Sequence, residues 1–240
     1  MKSASTSYLT VTKGVLYSYI ASLPLLLLYE LLIWISNPGD SGTVRISVDV
    51  WFRQIVQLTG LHSTSIILGS VAILGGIVLY VKRADLHQIK MGYFLMMLAE
   101  SLFYSVLITI TIHTFLDAIL MANSASQIES LNTVQLYALS LGAGLYEELF
   151  FRVILVSVLI FLFKMFTTRQ SVATTLSIVA AALIFSGVHY IGFYGDTFTL
   201  HSFLFRFLFG LGLNLIYVKR GFGIAAWTHA VYDLIVVSSF

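Results

Sequence analysis

An all-α bundle of about seven membrane-spanning helices is the fold class that this chain predicts, and three observations carry it. Hydrophobic residues make up 58% of the 240 and charged ones only 10%, where a soluble domain carries roughly 25% charged residues. The apolar residues gather in seven runs, several of them matching the roughly 20 residues that a helix needs to cross a bilayer. Lysine and arginine then concentrate between alternate runs, as they do in polytopic membrane proteins. The length suits one membrane domain over 1–240 with six to eight crossings, and the mean hydropathy of +0.93 leaves no stretch that reads as a separate soluble domain.

The first run, 14–36, follows Lys2 and Lys13 and lacks a small-residue cleavage pattern. It therefore reads as a retained span and not as a removed signal peptide. Pro24 is expected to kink it, and Asn37-Pro38-Gly39-Asp40 to turn the chain after it. Residues 47–58 read as a short amphipathic helix in the membrane interface, with Trp51 as its anchor. Runs 64–81 and 91–120 complete an N-terminal half, 1–125, to which the sequence assigns no role. Runs 91–120 and 133–163 are longer than one perpendicular crossing, so each is tilted, overhanging or broken. Gly142-Ala143-Gly144 is the candidate break, and breaking there would raise the helix count to eight. The remaining runs are 172–193, 198–218 and 221–239. Gly210 and Gly212 are expected to permit close helix contact, and Gly187 to let another backbone approach. Phe203, Phe205, Phe207 and Phe209 read as lipid-facing or core aromatics.

Orientation follows from charge. Nine of the thirteen Lys and Arg residues lie on one side of a seven-span arrangement: Lys2, Lys13, Lys82, Arg83, Lys90, Lys164, Arg169, Lys219 and Arg220. Only Arg45 and Arg53 lie on the other, with Arg152 and Arg206 inside spans. The bias places the N-terminus in the cytoplasm and the C-terminus outside. A net charge of +2 gives no reason to expect a nucleic-acid partner, and the absence of cysteine removes disulfides, thiolate ligands and a cysteine nucleophile together.

Against this background Glu147-Glu148-Leu149-Phe150-Phe151-Arg152 stands out. Each ionisable side chain at the bilayer centre costs roughly 2.5–3.5 kcal/mol on insertion scales, so such residues are mostly kept for function. At about 100° per residue, Glu148 and Arg152 are i,i+4 neighbours able to pair, whereas Glu147 points elsewhere. A structural charge cluster pinning helices together fits these three residues equally well. Two other runs carry histidines: Phe185-x-x-x-His189, and His229-x-x-x-Asp233, whose ends share a helix face. Each alone fits an interhelical hydrogen bond; the three together describe a site. Glu30, Glu100, His113, Asp117 and Arg206 also fall in or near spans, and Glu30 and Glu100 are read as packing partners, with Arg206 the candidate cation. His201 reads as interfacial.

These three motifs resemble those of the CAAX protease and bacteriocin-processing (CPBP) family of intramembrane glutamic endopeptidases, which includes the type 2 CAAX prenyl protease. The resemblance covers about 130–240. It implies that Glu147 is the general base, that His189 helps hold its water, and that His229 and Asp233 stabilise the oxyanion. Glu148 and Arg152 would position the motif helix. It further implies a protein or peptide substrate at the membrane, a prokaryotic cell membrane as the setting, and a glutamate mechanism with no cofactor. Asp233 departs from the Asn typical of the prenyl-protease branch. An ionised Asp only accepts hydrogen bonds, so its expected role is to orient His229.

The physical chemistry agrees with that implication. Peptide hydrolysis needs an activated water, a donor for the oxyanion and a proton for the leaving amine, all of which carboxylate and imidazole can supply. Glu147, Glu148, His189, His229 and Asp233 also offer enough donors for zinc, although no His-Glu-x-x-His spacing is present. A proton-coupled transporter would use the same residues as a relay but predicts pseudo-repeated halves, which the chain lacks. A non-catalytic immunity or scaffold protein would keep the helices without the activity.

Overall fold

Apolar runs become helices almost residue for residue in the computed structural model, which describes residues 7–36, 44–120, 131–192 and 195–239, with backbone alone over 115–120. The expected turn at Asn37-Pro38-Gly39-Asp40, Lys2 and the Asp117 side chain lie outside that description. Among the described residues there is no strand. A short α1 (Tyr8–Thr12) leads into α2 (Val15–Ser36), α3 (Ser47–Gln57), α4 (Ser63–Val81) and α5 (Met91–Leu120), with a 3₁₀ turn at Arg83–Gln88 before α5. Then come α6 (Thr133–Gly142), a widened segment, α7 (Ser157–Lys164), α8 (Gln170–Val188), α9 (Leu200–Arg220) and α10 (Phe222–Ser238). Five of these helices are long and apolar enough to cross a membrane: Val15–Ser36, Ser63–Val81, Met91–Thr114, Gln170–Val188 and Leu200–Arg220. The other two expected runs are helical as well, one as the composite 133–164 and one as the 17-residue α10. The protein is an integral membrane protein.

Helix α10 is the centre of the packing and touches α2, α5, α6 and α9 as well as the widened segment. Small residues make this possible. Ala225, Ala226 and Ala230 are fully buried, and a methyl group on Gly144 would stand 2.6 Å from the Ala226 carbonyl oxygen. Without a hydrophobic drive between helices in lipid, such close backbone approach and interhelical hydrogen bonds supply the cohesion. The Trp227 indole donates to the Ala21 carbonyl at 2.7 Å, in the turn before Pro24, and the Gly223 amide donates to Ser18 Oγ at 3.2 Å. Between α9 and α10 the chain reverses through one residue, Gly221, at φ 86°. Only glycine adopts that conformation readily, and its Cα faces the Lys13 carbonyl, 2.6 Å from where a methyl would sit.

Gly210 and Gly212 make the close contacts expected of them, against Phe185 and Ile108 respectively. Gly187 does not: nothing lies within 4 Å of the place a methyl would occupy. The close backbone approach occurs at Gly144 instead. Of the alternatives for run 133–163, the break at Gly142-Ala143-Gly144 is not the one realised, because the helix widens there and continues.

The remaining in-span charges find partners other than the one expected. Arg206 pairs with Asp196, Glu100 with Arg220, and Glu30 with Arg45 and Arg53. Glu100 also accepts from the Tyr8 hydroxyl at 2.6 Å, so α1 is strapped to α5 and α9. Helix α3 inverts the expected arrangement. Asp49 and Arg53 turn into the bundle toward Glu30, while Ile55 and Leu58 face outward. Burying a lone carboxylate in α2 is costly, and supplying two arginines to it from the α3 region removes that cost. Burial alone would draw the Arg45 guanidinium down, but the hydrogen bond to Glu30 and the neighbouring Asp49 outweigh it and hold Arg45 above the ordinary arginine value.

Gly144 and Gly187 make a matched pair for testing the packing. Gly144→Ala is expected to cost about 1–3 kcal/mol, the range for overpacking a close contact, and Gly187→Ala almost nothing. Thermal melts of the two variants in the same detergent check the difference.

Candidate active site

Helix α6 begins with a capping box, in which the Asn132 side chain accepts from the Gln135 amide at 2.9 Å and the Gln135 side chain accepts from the Asn132 amide at 3.1 Å. Winding is regular to Gly142. From Ala143 to Glu147, and again from Leu149 to Val156, the turns widen to π-helical winding. Such wide turns are rare and gather at functional sites, because each holds one extra residue and redirects the side chains near it. Here they span the Glu147–Arg152 hexapeptide.

Glu148 is fully buried and faces two partners. Its Oε2 lies 3.0 Å from Arg152 Nε, the i,i+4 pairing the sequence predicts. The approach is an ion pair without the alignment of a hydrogen bond, since Oε2 and all three guanidinium nitrogens lack an aligned partner among the described residues. Arg152, also fully buried, stands over the Phe185 ring at 4.6 Å, a cation–π contact that substitutes for solvation. The other oxygen of Glu148 accepts from His229 Nδ1 at 2.7 Å.

That last bond gives His229 a partner that the sequence did not assign to it, in addition to Asp233. Asp233 Oδ2 does lie 3.5 Å from His229 Nε2. The shorter bond, however, runs to Glu148 on another helix. Glu148 therefore links the motif helix to α10 and fixes the imidazole plane, while Asp233 faces the opposite nitrogen.

His189 sits where α8 ends, and the helix stops five residues earlier than the run 172–193 suggests. Its Nδ1–H donates to the Phe185 carbonyl at 2.7 Å, closing one of the free carbonyls of the last turn. Its own carbonyl accepts from the Asp196 amide at 2.9 Å as the chain folds back. With Nδ1 protonated by this bond, Nε2 keeps a lone pair.

Glu147 is 7% exposed and forms no hydrogen bond or ion pair among the described residues. Its carboxylate acts electrostatically on His189, His229, Asp233 and Arg152, so all six sequence-predicted residues share one neighbourhood. The neighbourhood has aromatic walls. Phe185 meets His189 edge-on with ring centres 4.9 Å apart, and Phe209 meets His229 at 5.1 Å and Tyr232 at 4.4 Å. Sequence reasoning missed Phe209 and Tyr232 as part of the site. The signals were there: Tyr232 is i+3 from His229, and Phe205 and Phe209 are i,i+4 on one face of α9. Among the described residues, no three His, Asp or Glu side chains converge closely enough to hold a metal ion.

Residues 129–235 match the family model described as type II CAAX prenyl endopeptidase Rce1-like. All three motifs fall inside that interval, so the resemblance read from them holds over this part of the chain. No curated protein and no solved structure matches it.

Removing one member of the buried ion pair is expected to be severe. Arg152→Met leaves Glu148 uncompensated and should cost about 3–5 kcal/mol, whereas Arg152→Met combined with Glu148→Gln should recover part of that. Thermal unfolding of the single and double variants decides it.

Proposed function

We propose that the chain is an intramembrane endopeptidase, a single membrane domain whose residues 130–240 form the catalytic core and hydrolyse a peptide bond with water activated by Glu147. The observation that carries this reading is a buried carboxylate, unpaired among the described residues, whose charge acts on two histidines from separate helices. A family match to membrane proteases over the same residues supports it.

In the proposed reaction Glu147 takes a proton from a water that also donates to the free Nε2 of His189. The oxygen attacks the peptide carbonyl, and the C–N bond later breaks as Glu147 returns its proton to the leaving amine. The oxyanion needs a donor. His229 can be that donor through Nε2 when both ring nitrogens are protonated, with Nδ1–H held by Glu148 and Asp233 supporting the charge from the other side. The reaction requires no metal or other cofactor, because base, donor and positioning groups all come from side chains.

The proposed substrate is a protein or peptide segment associated with the bilayer. Seven crossings with a cytoplasmic N-terminus would put the hexapeptide and His189 toward the outer leaflet. Lys164 to Glu147 is about 25 Å of helix and Arg169 to His189 about 30 Å, at 1.5 Å per residue. The site would then open to the non-cytoplasmic face and suit exported substrates of a prokaryotic cell membrane.

Two measurements test these statements. Glu147→Ala in purified protein should lower cleavage of a fluorogenic peptide library by about 100-fold or more; cleavage equal to the parent rejects the peptidase. The chain has no cysteine, so a single Ile191→Cys variant, at a residue 75% exposed beyond His189, reports topology cleanly. It should react with an impermeant thiol reagent from outside intact cells, and labelling only from the cytoplasmic side reverses the orientation.

A further inference from the structure

The proposed reaction uses nothing N-terminal to α6, yet side chains of α2 and α3 press on the start of the π-wound segment, as those of α8 and α10 press on it elsewhere. The Tyr29 ring is fully buried against Gly142, where regular winding ends. A methyl on Gly142 would stand 2.5 Å from Tyr29 Cε2. The same ring meets Tyr146 edge-on with centres 5.4 Å apart. Phe52 of α3 lies 6.3 Å from Tyr146 and 6.4 Å from Phe150, and Trp51 meets Phe150 at 5.7 Å. Tyr146 and Phe150 bracket the two glutamates in sequence.

Tyr29 is itself held. Its hydroxyl donates to Asp49 Oδ2 at 2.8 Å. Asp49 is fully buried and accepts from Arg45 at 2.9 Å and from Arg53 Nε at 2.8 Å. Both arginines also bind Glu30, and Arg53 reaches Thr64 at the start of α4 at 2.8 Å. Two carboxylates and two arginines balance in charge. A buried ionic array of this kind is often no more stable than an apolar core of the same shape. What it provides is a fixed position for one carboxylate oxygen, and hence for the tyrosine that the oxygen holds.

Position at Gly142 matters because of the winding that follows. A wide turn holds one more residue than an α turn, so side chains beyond the junction sit about 100° from where regular winding would place them. Losing the wide turn before Glu147 would turn its side chain away from the histidines.

We propose that the α2–α3 brace, Tyr29 held by Asp49 and its two arginines, positions Glu147 by fixing where regular winding gives way to wide turns. The inference rests on Glu147 being the base, and it gives the N-terminal half a part in catalysis. Tyr29, Asp49 and Gly142 are positioning residues, acting on Glu147 through the helix that carries it.

Tyr29→Phe keeps the ring and removes the bond to Asp49. It should lower kcat about tenfold with KM within about twofold, since a displacement near 1 Å can cost up to about 100-fold. Gly142→Ala should lower kcat similarly, and Tyr29→Ala added to it should lower it little further, a non-additive pair because both changes remove the same contact. The position of residue 147 is also readable without catalysis. In a Glu147→Cys protein reconstituted in nanodiscs, the alkylation rate by a small thiol reagent should change about fivefold when Tyr29→Phe is added, because thiol reactivity follows local environment. An unchanged alkylation rate overturns the brace, whatever cleavage does. If instead Glu147→Gln still cleaves peptide, the base assignment fails while alkylation continues to decide the brace.

Discussion

One carboxylate governs the arrangement of the C-terminal half. Glu148 has no exposure, and its two oxygens face a guanidinium on its own helix and an imidazole on α10. A charge so placed is tolerable only while both neighbours stay. The identity of Arg152, the stacking of Phe185 beneath it, the rotamer of His229 and the contact between the motif helix and α10 are therefore mutually conditional. Residues that a sequence reader would divide into chemistry and support are joined here through a single side chain.

Much of this was legible in the sequence, for physical reasons. Lipid forces backbone polar groups to pair within a segment, so apolar length alone set the helix bounds to within a few residues at α2, α4, α5 and α10. Charge in such a setting is conspicuous, which is why Glu147, Glu148, Arg152, His189, His229 and Asp233 stand out without any knowledge of the fold. The errors share a cause as well. Periodicity tells which residues share a face, but it is silent on which other helix that face meets. Arg206 could not be separated from Arg220 as the partner of Glu100, and Glu148 could not be seen as a second partner of His229 beside Asp233. The wide turns were invisible for a different reason: no residue type in Ala143–Val156 specifies π over α winding, and the contacts of this segment with Tyr29 at one end and Ala226 along the side are between helices that the sequence does not pair.

Helix α3 shows how far a helical pattern can mislead when the solvent is not water. Its alternation of Asp49 and Arg53 with Trp51, Ile55 and Leu58 suggests a helix floating with its charges toward water. With Glu30 waiting inside the bundle, the favourable arrangement is the reverse. The charges neutralise one another internally and the apolar side chains are left to face outward.

The contact of Gly144 with Ala226 and Ala230 has a mechanical meaning for the site beside it. Glu147 lies three residues beyond that glycine, and His229 lies between those two alanines. The gauge separating acid from imidazole is consequently set by two backbones in touch and not by the rotamers of intervening side chains. Thermal side-chain motion blurs it little. His189 has no such stop, since it ends its helix and is secured by one carbonyl behind and one amide ahead. The site thus joins a jaw set by backbone contact to one held by two hydrogen bonds.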